Sequence, residues 1–229
     1  MVRINDSYHS DIYITPDRQM FVPDNRSEFG LVPLEPEDFE EFYSLLENTY
    51  NGKSSYSNVY EGYFFRVERT VSMYGVMFCM RKMPKKVPDL ASLGYPLPLI
   101  KYLSTLGNAS GLILLGGATG SGKTTTVSSM LREYLIRNGG FAYTIEDPFE
   151  MPLDGEYHAG NGSIGLCKQT QPVNDDWGAS LRSALRSRPR YILVGEIRTP
   201  EAASECLRAS TSGHLVLSTI HANNVADAI

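Results

Sequence analysis

The sequence predicts an α/β protein with two parts, a small α+β domain over residues 1–83 and a domain with a mainly parallel sheet over residues 97–229. From residue 97 onward, apolar strands alternate with amphipathic helices, which is typical of a parallel sheet covered on both faces. Between the two parts, MPKKVPDLASLGYPLP holds four of the chain's 13 prolines and little periodic pattern. We therefore expect a linker over residues 84–96.

The first 83 residues carry the signals of short strands and one helix. SDIYITPDRQMFVP predicts two strands around a turn, with Ile12 and Ile14 on one face. LEPEDFEEFYSLLENTYNG predicts a helix that ends at Asn51–Gly52. YFFRVERTVSMYGVMFCMRK alternates twice, which predicts a hairpin of residues 63–69 against 75–82.

The second part begins with a helix at 99–106 and continues as strand, helix, strand. The predicted strands are GLILLG, FAYTIED, YILVGE and HLVLSTI. Three helices are predicted between these strands. One follows the glycine-rich loop GGATGSGKTTT, and the other two lie in DWGASLRSALRSR and PEAASECLRAST. This order predicts strands whose carboxyl ends meet at one edge of the sheet.

Composition limits the class of protein. Hydrophobic residues make up 42% and charged residues 21%, as in an ordinary globular chain. The formal net charge of -5 argues against direct binding of nucleic acid, whose phosphates are usually met by a basic excess. The apolar runs are of strand length, and the first residues lack the apolar core of a signal peptide. We expect a cytoplasmic protein whose three cysteines are packed thiols.

Residues 117–124 match G-x-x-x-x-G-K-[ST], after a predicted strand and before a predicted helix. Glycines let the backbone point several N–H groups at a phosphate, and the helix N-terminus adds a positive dipole end. In this interpretation Lys123 bridges the terminal phosphates and Thr124 offers its hydroxyl to Mg²⁺. The alternative is a glycine-rich turn that binds nothing. The remaining loop residues are Gly117, Ala118, Thr119, Gly120, Ser121 and Gly122.

Two predicted strands end in carboxylates. Glu196 follows YILVG, and Glu146 and Asp147 follow a second strand, which Pro148 stops. Such a site needs one acid near Mg²⁺ and one group that activates water. The aspartate that usually ends the strand beside a Mg²⁺ site is absent, and a solvated turn remains the alternative for the paired acids.

Taken in order, four segments resemble the secretion ATPase superfamily, the hexameric motors of type IV pili, type II secretion and type IV secretion. The segments are GATGSGKTTT, TIEDPFE, LVGEIR and TSGHLVLSTIHANN. The resemblance implies a RecA-like P-loop NTPase domain over residues 97–229 and a PAS-like domain over residues 1–83. It also implies that ATP and Mg²⁺ are the ligands.

The resemblance further implies a role for each matching residue. Lys123, Thr124 and Thr125 contact the phosphates. Glu146 is the general base, and Glu196 is an atypical Walker B acid that shares the Mg²⁺ with Thr124. His221 senses the γ-phosphate, and His214 belongs to the same histidine segment.

The resemblance extends to the first domain, where YFFRV and MFCMRKMP match a hairpin that carries arginines toward the nucleotide. Arg66 and Arg81 match best, and Arg69 is the second choice. Arginine suits this task because its planar fork can meet two phosphate oxygens. On its own pattern, however, an arginine in a strand is more often a surface residue.

The chain also departs from the family's pattern. Arg188, Arg190 and Thr199 stand where relatives often have acidic residues, which favours the branch that serves conjugation and effector transfer. The tetracysteine zinc module of the type II branch is absent. Relatives continue past the histidine segment through a helical region, so the resemblance implies an ATPase domain that is truncated here.

The resulting prediction is an ATP-hydrolysing motor subunit, assembled as a homo-hexamer and held at the inner face of the membrane by platform or secretion-complex proteins. Direct contact with nucleic acid is not expected. A RecA-like nucleic-acid translocase is one alternative, and a nucleotide-binding assembly subunit without turnover is another. A small-molecule kinase is less consistent with the sequence, which has no recognisable lid or acceptor pocket.

Overall fold

The computed structural model describes residues 2–222 and divides into two compact units, Met1–Lys85 and Lys86–Ile229. Each unit is built on its own six-stranded sheet. The first sheet is antiparallel and the second is mostly parallel, which confirms the predicted fold class. Among the described residues, no helix combines the length and the apolar content needed to cross a bilayer.

The first unit places one helix, α1 (Phe39–Asn48), against one face of its sheet. The strands follow the order β3-β2-β1-β6-β5-β4, and every neighbouring pair is antiparallel. Phe42 and Leu46 of the helix are fully buried against the sheet, where Phe65 and Val67 alternate with exposed residues. The strands are β1 (Asp11–Ile14), β2 (Met20–Pro23), β3 (Leu31–Pro33), β4 (Ser55–Tyr60), β5 (Tyr63–Ser72) and β6 (Gly75–Lys82).

The predicted strands at β1, β2, β5 and β6 are present, whereas β3 and β4 were not predicted. β3 is three residues long and ends in a proline, so it carries no periodic signal. β4 reads SYSNVY, and its buried face combines Tyr56 and Tyr60 with the polar Asn58. Polar residues on the buried face obscure the alternation by which a strand is recognised.

A buried carboxylate, Asp38, ties three parts of the first unit together. Asp38 lies just before α1 and is 6% exposed. It accepts a hydrogen bond from the Ile4 backbone N–H at 3.0 Å and one from the Tyr60 hydroxyl at 3.1 Å. The Arg3 guanidinium lies 3.6 Å away. Burial and this hydrogen bond raise the pKa of Tyr60, so its hydroxyl remains a donor at neutral pH.

In the second unit, helices cover both faces of the sheet. The strand order is β7-β12-β11-β8-β10-β9, parallel throughout except for β9, which runs antiparallel to β10. The strands are β7 (Gly111–Gly116), β8 (Gly140–Ile145), β9 (Gly155–His158), β10 (Ile164–Thr170), β11 (Tyr191–Val194) and β12 (Leu215–Ile220). The helices are α2 (Leu97–Thr105), α3 (Lys123–Asn138), α4 (Trp177–Leu185) and α5 (Pro200–Thr211).

Alternate residues of the central strands enter two separate cores. Leu193 of β11 packs in the core that contains α3, while Ile192 and Val194 pack in the core that contains α4 and α5. All four residues of β11 are buried, which explains why this strand reads as a continuous apolar run.

Residues 86–96, which were expected to be a linker, are part of the second unit. Val87 and Leu90 are buried in the core formed with α3. Asp89 forms an ion pair with Arg132 of the same helix. Prolines break the periodic pattern of this segment, but Val87 and Leu90 pack it against α3.

We predict that Asp38→Ala lowers the free energy of unfolding of the first unit by about 2–4 kcal/mol, because the Ile4 N–H and the Tyr60 hydroxyl lose their acceptor. Urea unfolding followed by far-UV circular dichroism measures this change. Trp177, the only tryptophan of the chain, lies in the second unit and reports on that unit by fluorescence. The exposed control Glu28→Ala should leave the unfolding transitions as they are in the parent. Equal midpoints in Asp38→Ala and the parent would contradict the prediction.

Candidate nucleotide site

A cavity of about 270 Å³ opens at the carboxyl edge of the second sheet, where α/β proteins commonly bind ligands. Its walls come from the glycine-rich loop and from the segments that follow β8, β11 and β12. The predicted loop residues that line it are Thr119, Gly120, Gly122, Lys123, Thr124 and Thr125. Glu146, Glu196 and His221 line it as well.

The glycine-rich loop needs glycine at two positions. Gly120 has φ 76° and Gly122 has φ 85°, both in the left-handed region that other residues rarely adopt. Gly122 is the residue at which the chain turns into α3, so the first N–H groups of the helix face the cavity side of the loop. This arrangement provides N–H donors and the positive end of the helix dipole for an anion.

Within this loop, Lys123 is held by carbonyl groups. Its Nζ donates hydrogen bonds to the carbonyls of Gly117 and Ala118, each at 2.8 Å. A Cβ on Gly117 would lie 2.9 Å from the Ser121 hydroxyl oxygen, so the serine side chain would have to move. Gly117, Ala118 and Ser121, which were predicted to bind the nucleotide, are not among the residues that line the cavity.

The three successive threonines have different environments. Thr124 and Thr125 line the cavity, whereas Thr126 is buried. The Thr126 hydroxyl donates to the Gly122 carbonyl at 2.9 Å and lies 2.9 Å from the Tyr95 hydroxyl. Because Thr126 uses its single proton on Gly122, Tyr95 is the donor in the second bond. A chain of two hydrogen bonds thus joins residues 86–96 to the end of the phosphate loop.

Glu146, which follows β8, is 2% exposed. The Gln169 side-chain amide donates to its Oε1 at 3.0 Å. Burial raises the pKa of Glu146, and the polar side chains of Thr144 and Gln169 oppose that rise only in part. A carboxylate in this environment accepts a proton more readily than one in water.

Glu146 and Gly195 lie against each other. A Cβ on Gly195 would lie 3.2 Å from Cγ of Glu146, closer than most side-chain contacts. The Gly195 N–H donates to the Ile145 carbonyl at 2.9 Å, and its own carbonyl accepts from the Thr219 hydroxyl at 2.7 Å. The glycine of LVGEIR thus lies at a crowded position, where three strands end side by side.

Glu196 is paired on both of its oxygens. Its Oε2 accepts from Nε of Arg198 at 2.6 Å, and its Oε1 lies 2.9 Å from Nε2 of His221. The structure thus brings together the predicted acid and the predicted histidine from two different strand ends. Arg198 also lines the cavity, a role that the sequence pattern did not indicate.

Two further residues at this site were not predicted from the sequence. Trp177 lines the cavity at the start of α4, where Asp176 caps the helix by accepting from the Ala179 N–H at 2.8 Å. The capping aspartate is a sequence signal for the start of this helix. Gln169 had no such signal, because its strand was itself not predicted.

His214 and Thr199 have structural roles. His214 precedes β12 and His221 follows it, so about 20 Å of extended strand separates them. Nδ1 of His214 lies 2.6 Å from the Pro189 carbonyl, at the edge of the sheet opposite the cavity. Thr199 caps α5 by accepting from the Ala202 N–H at 3.2 Å, which an acidic residue could equally do.

In the first unit, Arg66 of β5 lies directly opposite Arg81 of β6 on the exposed face of the sheet. Arg81 makes a two-pronged contact with Asp11, at 2.6 and 3.2 Å. Arg69 has the opposite parity on β5, and its guanidinium lies 4.2 Å from the centre of the Tyr50 ring. The sheet therefore pairs Arg66 with Arg81 and sets Arg69 apart; their part in a nucleotide site remains a prediction.

Comparison with known proteins identifies the family. The sequence model of a family described as "Type II/IV secretion system protein" matches residues 58–229. Type II secretion system protein E of Klebsiella pneumoniae is 37% identical over 167 residues, which cover 72% of this chain and 32% of that protein. This chain therefore spans about a third of the length of that curated relative.

Solved structures show the same fold. The crystal structure of the pilus retraction motor PilT with bound ADP has a TM-score of 0.77 at 30% identity, over 100% of this chain and 69% of that one. The Legionella pneumophila ATPase DotB has a TM-score of 0.71 at 24% identity, over 96% of this chain and 63% of that one, which is a likeness of fold. That the chain belongs to the branch serving conjugation and effector transfer stays a prediction.

The bond between Tyr95 and Thr126 can be tested by stability. We predict that Tyr95→Phe and Thr126→Val each lower the free energy of unfolding of the second unit and that their effects are not additive, with a coupling of about 1 kcal/mol. Thr126→Ser keeps the hydroxyl and should behave as the parent. Urea unfolding followed by Trp177 fluorescence is the measurement, and additive effects would show that the two hydroxyls do not interact.

Proposed function

This chain belongs to the type II/IV secretion system protein family, and from that premise we propose that it is a subunit of an ATP-hydrolysing motor for a membrane-embedded secretion, conjugation or pilus machine. One observation carries the proposal. Three side chains line one cavity: Lys123 at the start of a helix, the buried Glu146 and a second acid, Glu196. These are the groups that phosphoryl transfer to water requires.

Phosphate binding is the proposed task of the loop. The Lys123 ammonium exchanges the Gly117 and Ala118 carbonyls for phosphate oxygens, which carry a full charge and make stronger hydrogen bonds. The first N–H groups of α3 add donors that are already fixed in place. Because these donors do not reorganise during the reaction, they stabilise charge that develops on the phosphates.

Mg²⁺ fits the donors present. Thr124 offers a hydroxyl oxygen and Glu196 a carboxylate at the same cavity, and Mg²⁺ takes oxygen ligands from one or two protein groups together with phosphates. We propose that these two residues hold it. The carboxylate retains acceptor capacity beside Arg198 and His221, since each oxygen has more than one lone pair. Bound Mg²⁺ would offset the negative charge of the phosphates.

Glu146 is the proposed general base. Its burial raises its pKa, which makes this carboxylate a stronger proton acceptor than one in water. His221 is the proposed γ-phosphate sensor, because its contact with Glu196 links it to the charge in the cavity. Arg66 and Arg81 would complete the site when the subunits close around the nucleotide.

The names of the relatives support a place for this motor at a membrane machine. We propose a homo-hexamer on the cytoplasmic side, attached through platform or secretion-complex proteins rather than by direct contact with lipid. The net charge of -5 is consistent with a motor that does not bind nucleic acid directly. The whole assembly, its substrate and the direction of its force belong to this proposal.

Trp177 lines the cavity and is the only tryptophan, so its fluorescence should report nucleotide binding directly. We expect Mg²⁺–ATP to change this fluorescence and the chain to release phosphate. Lys123→Ala should weaken ATP binding by about 30- to 100-fold, because charged hydrogen bonds to phosphate are lost. Lys101→Ala, an exposed lysine on α2, is the matched control and should change neither signal.

The alternatives give different results in the same assay. A fluorescence change without phosphate release in the parent would favour a nucleotide-binding assembly subunit without turnover. A large stimulation of phosphate release by single-stranded DNA would favour a nucleic-acid translocase. No fluorescence change and no phosphate release would contradict every nucleotide-based function.

Glu146→Gln separates binding from chemistry. The amide keeps the shape of the side chain but cannot accept the proton, so we expect turnover to fall by about 10²- to 10⁴-fold with ATP affinity nearly unchanged. Phosphate release and the Trp177 titration measure the two quantities. Glu156→Gln, an exposed acid on β9, is the matched control. Turnover equal to that of the parent would remove Glu146 from the role of base.

A further inference from the structure

The Gln169 side chain is the centre of a small hydrogen-bond network behind the cavity. Its Nε2 donates to Oε1 of Glu146 at 3.0 Å and to the Met151 carbonyl at 2.8 Å. Its Oε1 accepts from the backbone N–H groups of Leu153 at 2.8 Å and Asp154 at 2.9 Å. An amide side chain can donate two hydrogen bonds and its oxygen can accept two, so all four places are filled.

These four partners fix the orientation of the amide. If the amide were turned over, its NH₂ group would face two N–H donors and its oxygen would face a carboxylate and a carbonyl. All four bonds would then be lost and replaced by repulsion. The NH₂ group therefore faces Glu146, and the assignment rests on the partners rather than on the similar shapes of nitrogen and oxygen.

The backbone of Gln169 strengthens the arrangement. Its N–H donates to Oδ1 of Asp154 at 2.7 Å, so Asp154 and Gln169 hold each other through two bonds. β10 runs parallel to β8, with Gln169 beside Thr144, two residues before Glu146. The segment 147–154, which links Glu146 to β9, is thereby wrapped around the Gln169 side chain.

From this geometry we infer that Gln169 is a positioning residue for hydrolysis: its amide holds the Glu146 carboxylate in one orientation at the cavity wall. The inference rests on the proposed function, because an oriented base matters only if water is activated. In that step a proton passes from water to Glu146. The water oxygen bonds to the γ-phosphorus, and the bond to the β-phosphate oxygen breaks to release ADP and phosphate.

Anchoring of the segment alone would require only part of this network. The bonds to Met151, Leu153 and Asp154 already hold the segment, whereas the fourth bond goes to a carboxylate that is almost fully buried. A donor to a buried carboxylate stabilises its ionised form and restricts its rotation. Both effects act on the chemical step and neither touches the phosphate contacts at Lys123.

Gln169→Glu is the sharpest test, because it exchanges the NH₂ group for an oxygen of nearly the same size. One oxygen of the new carboxylate still accepts hydrogen bonds from the Leu153 and Asp154 N–H groups. The other oxygen replaces the NH₂ group and faces the Glu146 carboxylate, which it repels. We expect kcat to fall by about 10- to 100-fold, a part of what a positioned base supplies, with ATP affinity within about threefold of the parent. The matched control is Gln171→Glu, which puts the same charge beside Asp147, to whose Oδ1 Gln171 donates at 3.3 Å.

A double-mutant cycle tests whether the effect passes through Glu146. In a Glu146→Gln background, Gln169→Glu should cause no further loss of turnover, since no base remains to be oriented. Hydrogen exchange at the Leu153 and Asp154 amides reports on the wrapped segment without reference to activity. We expect these amides to stay protected in Gln169→Glu.

Two results would overturn the inference while leaving the proposed function intact. One is an active parent with kcat unchanged in Gln169→Glu. The other is an equal loss of kcat and ATP affinity with exposed Leu153 and Asp154 amides, which would make Gln169 an anchor of the segment only. A parent that releases no phosphate would overturn both the proposed function and this inference.

Discussion

The close approach of Glu146 to Gly195 is the contact on which the site depends. Two parallel strands end side by side there, and a Cβ on Gly195 would lie 3.2 Å from Cγ of Glu146. A buried carboxylate is costly unless hydrogen bonds satisfy it, and Gln169 provides one from the neighbouring strand. The residue after Gly195, Glu196, also lines the cavity.

Charge in the cavity is balanced by pairs that nucleotide binding would rearrange. Lys123 rests on two carbonyls, and Glu196 is shared by Arg198 and His221. None of these pairs is buried deeply enough to be fixed, since Arg198 and His221 are exposed. Phosphates would offer Lys123, Arg198 and His221 stronger partners. Glu146, held in the interior, is the group that would not need to move.

Sequence patterns predicted the parts of this fold whose buried faces are apolar. β7, β8, β11 and β12 read as strands, the phosphate loop was predicted from its G-x-x-x-x-G-K-[ST] pattern, and Glu146 and Glu196 followed from where two of those strands end. The parity of β5 could also have separated Arg69 from Arg66, because residues three apart on a strand face opposite sides. The contact of Gln169 with Glu146 could not be predicted, since 23 residues separate the two and the strand that joins them was missed.

β10 shows why that strand was missed. Gly165 and Cys167 are buried and Gln169 on the same face is half-buried, while Ile164 and Leu166 are exposed, so alternation by hydropathy predicts the wrong face. The reason is the closeness of α3: a Cβ on Gly165 would lie 2.8 Å from the Leu135 carbonyl, which leaves room only for small residues. Gln169 lies further along the same face of β10, where its amide donates to Glu146. The face that close packing on α3 conceals from pattern analysis is thus the face that carries Gln169.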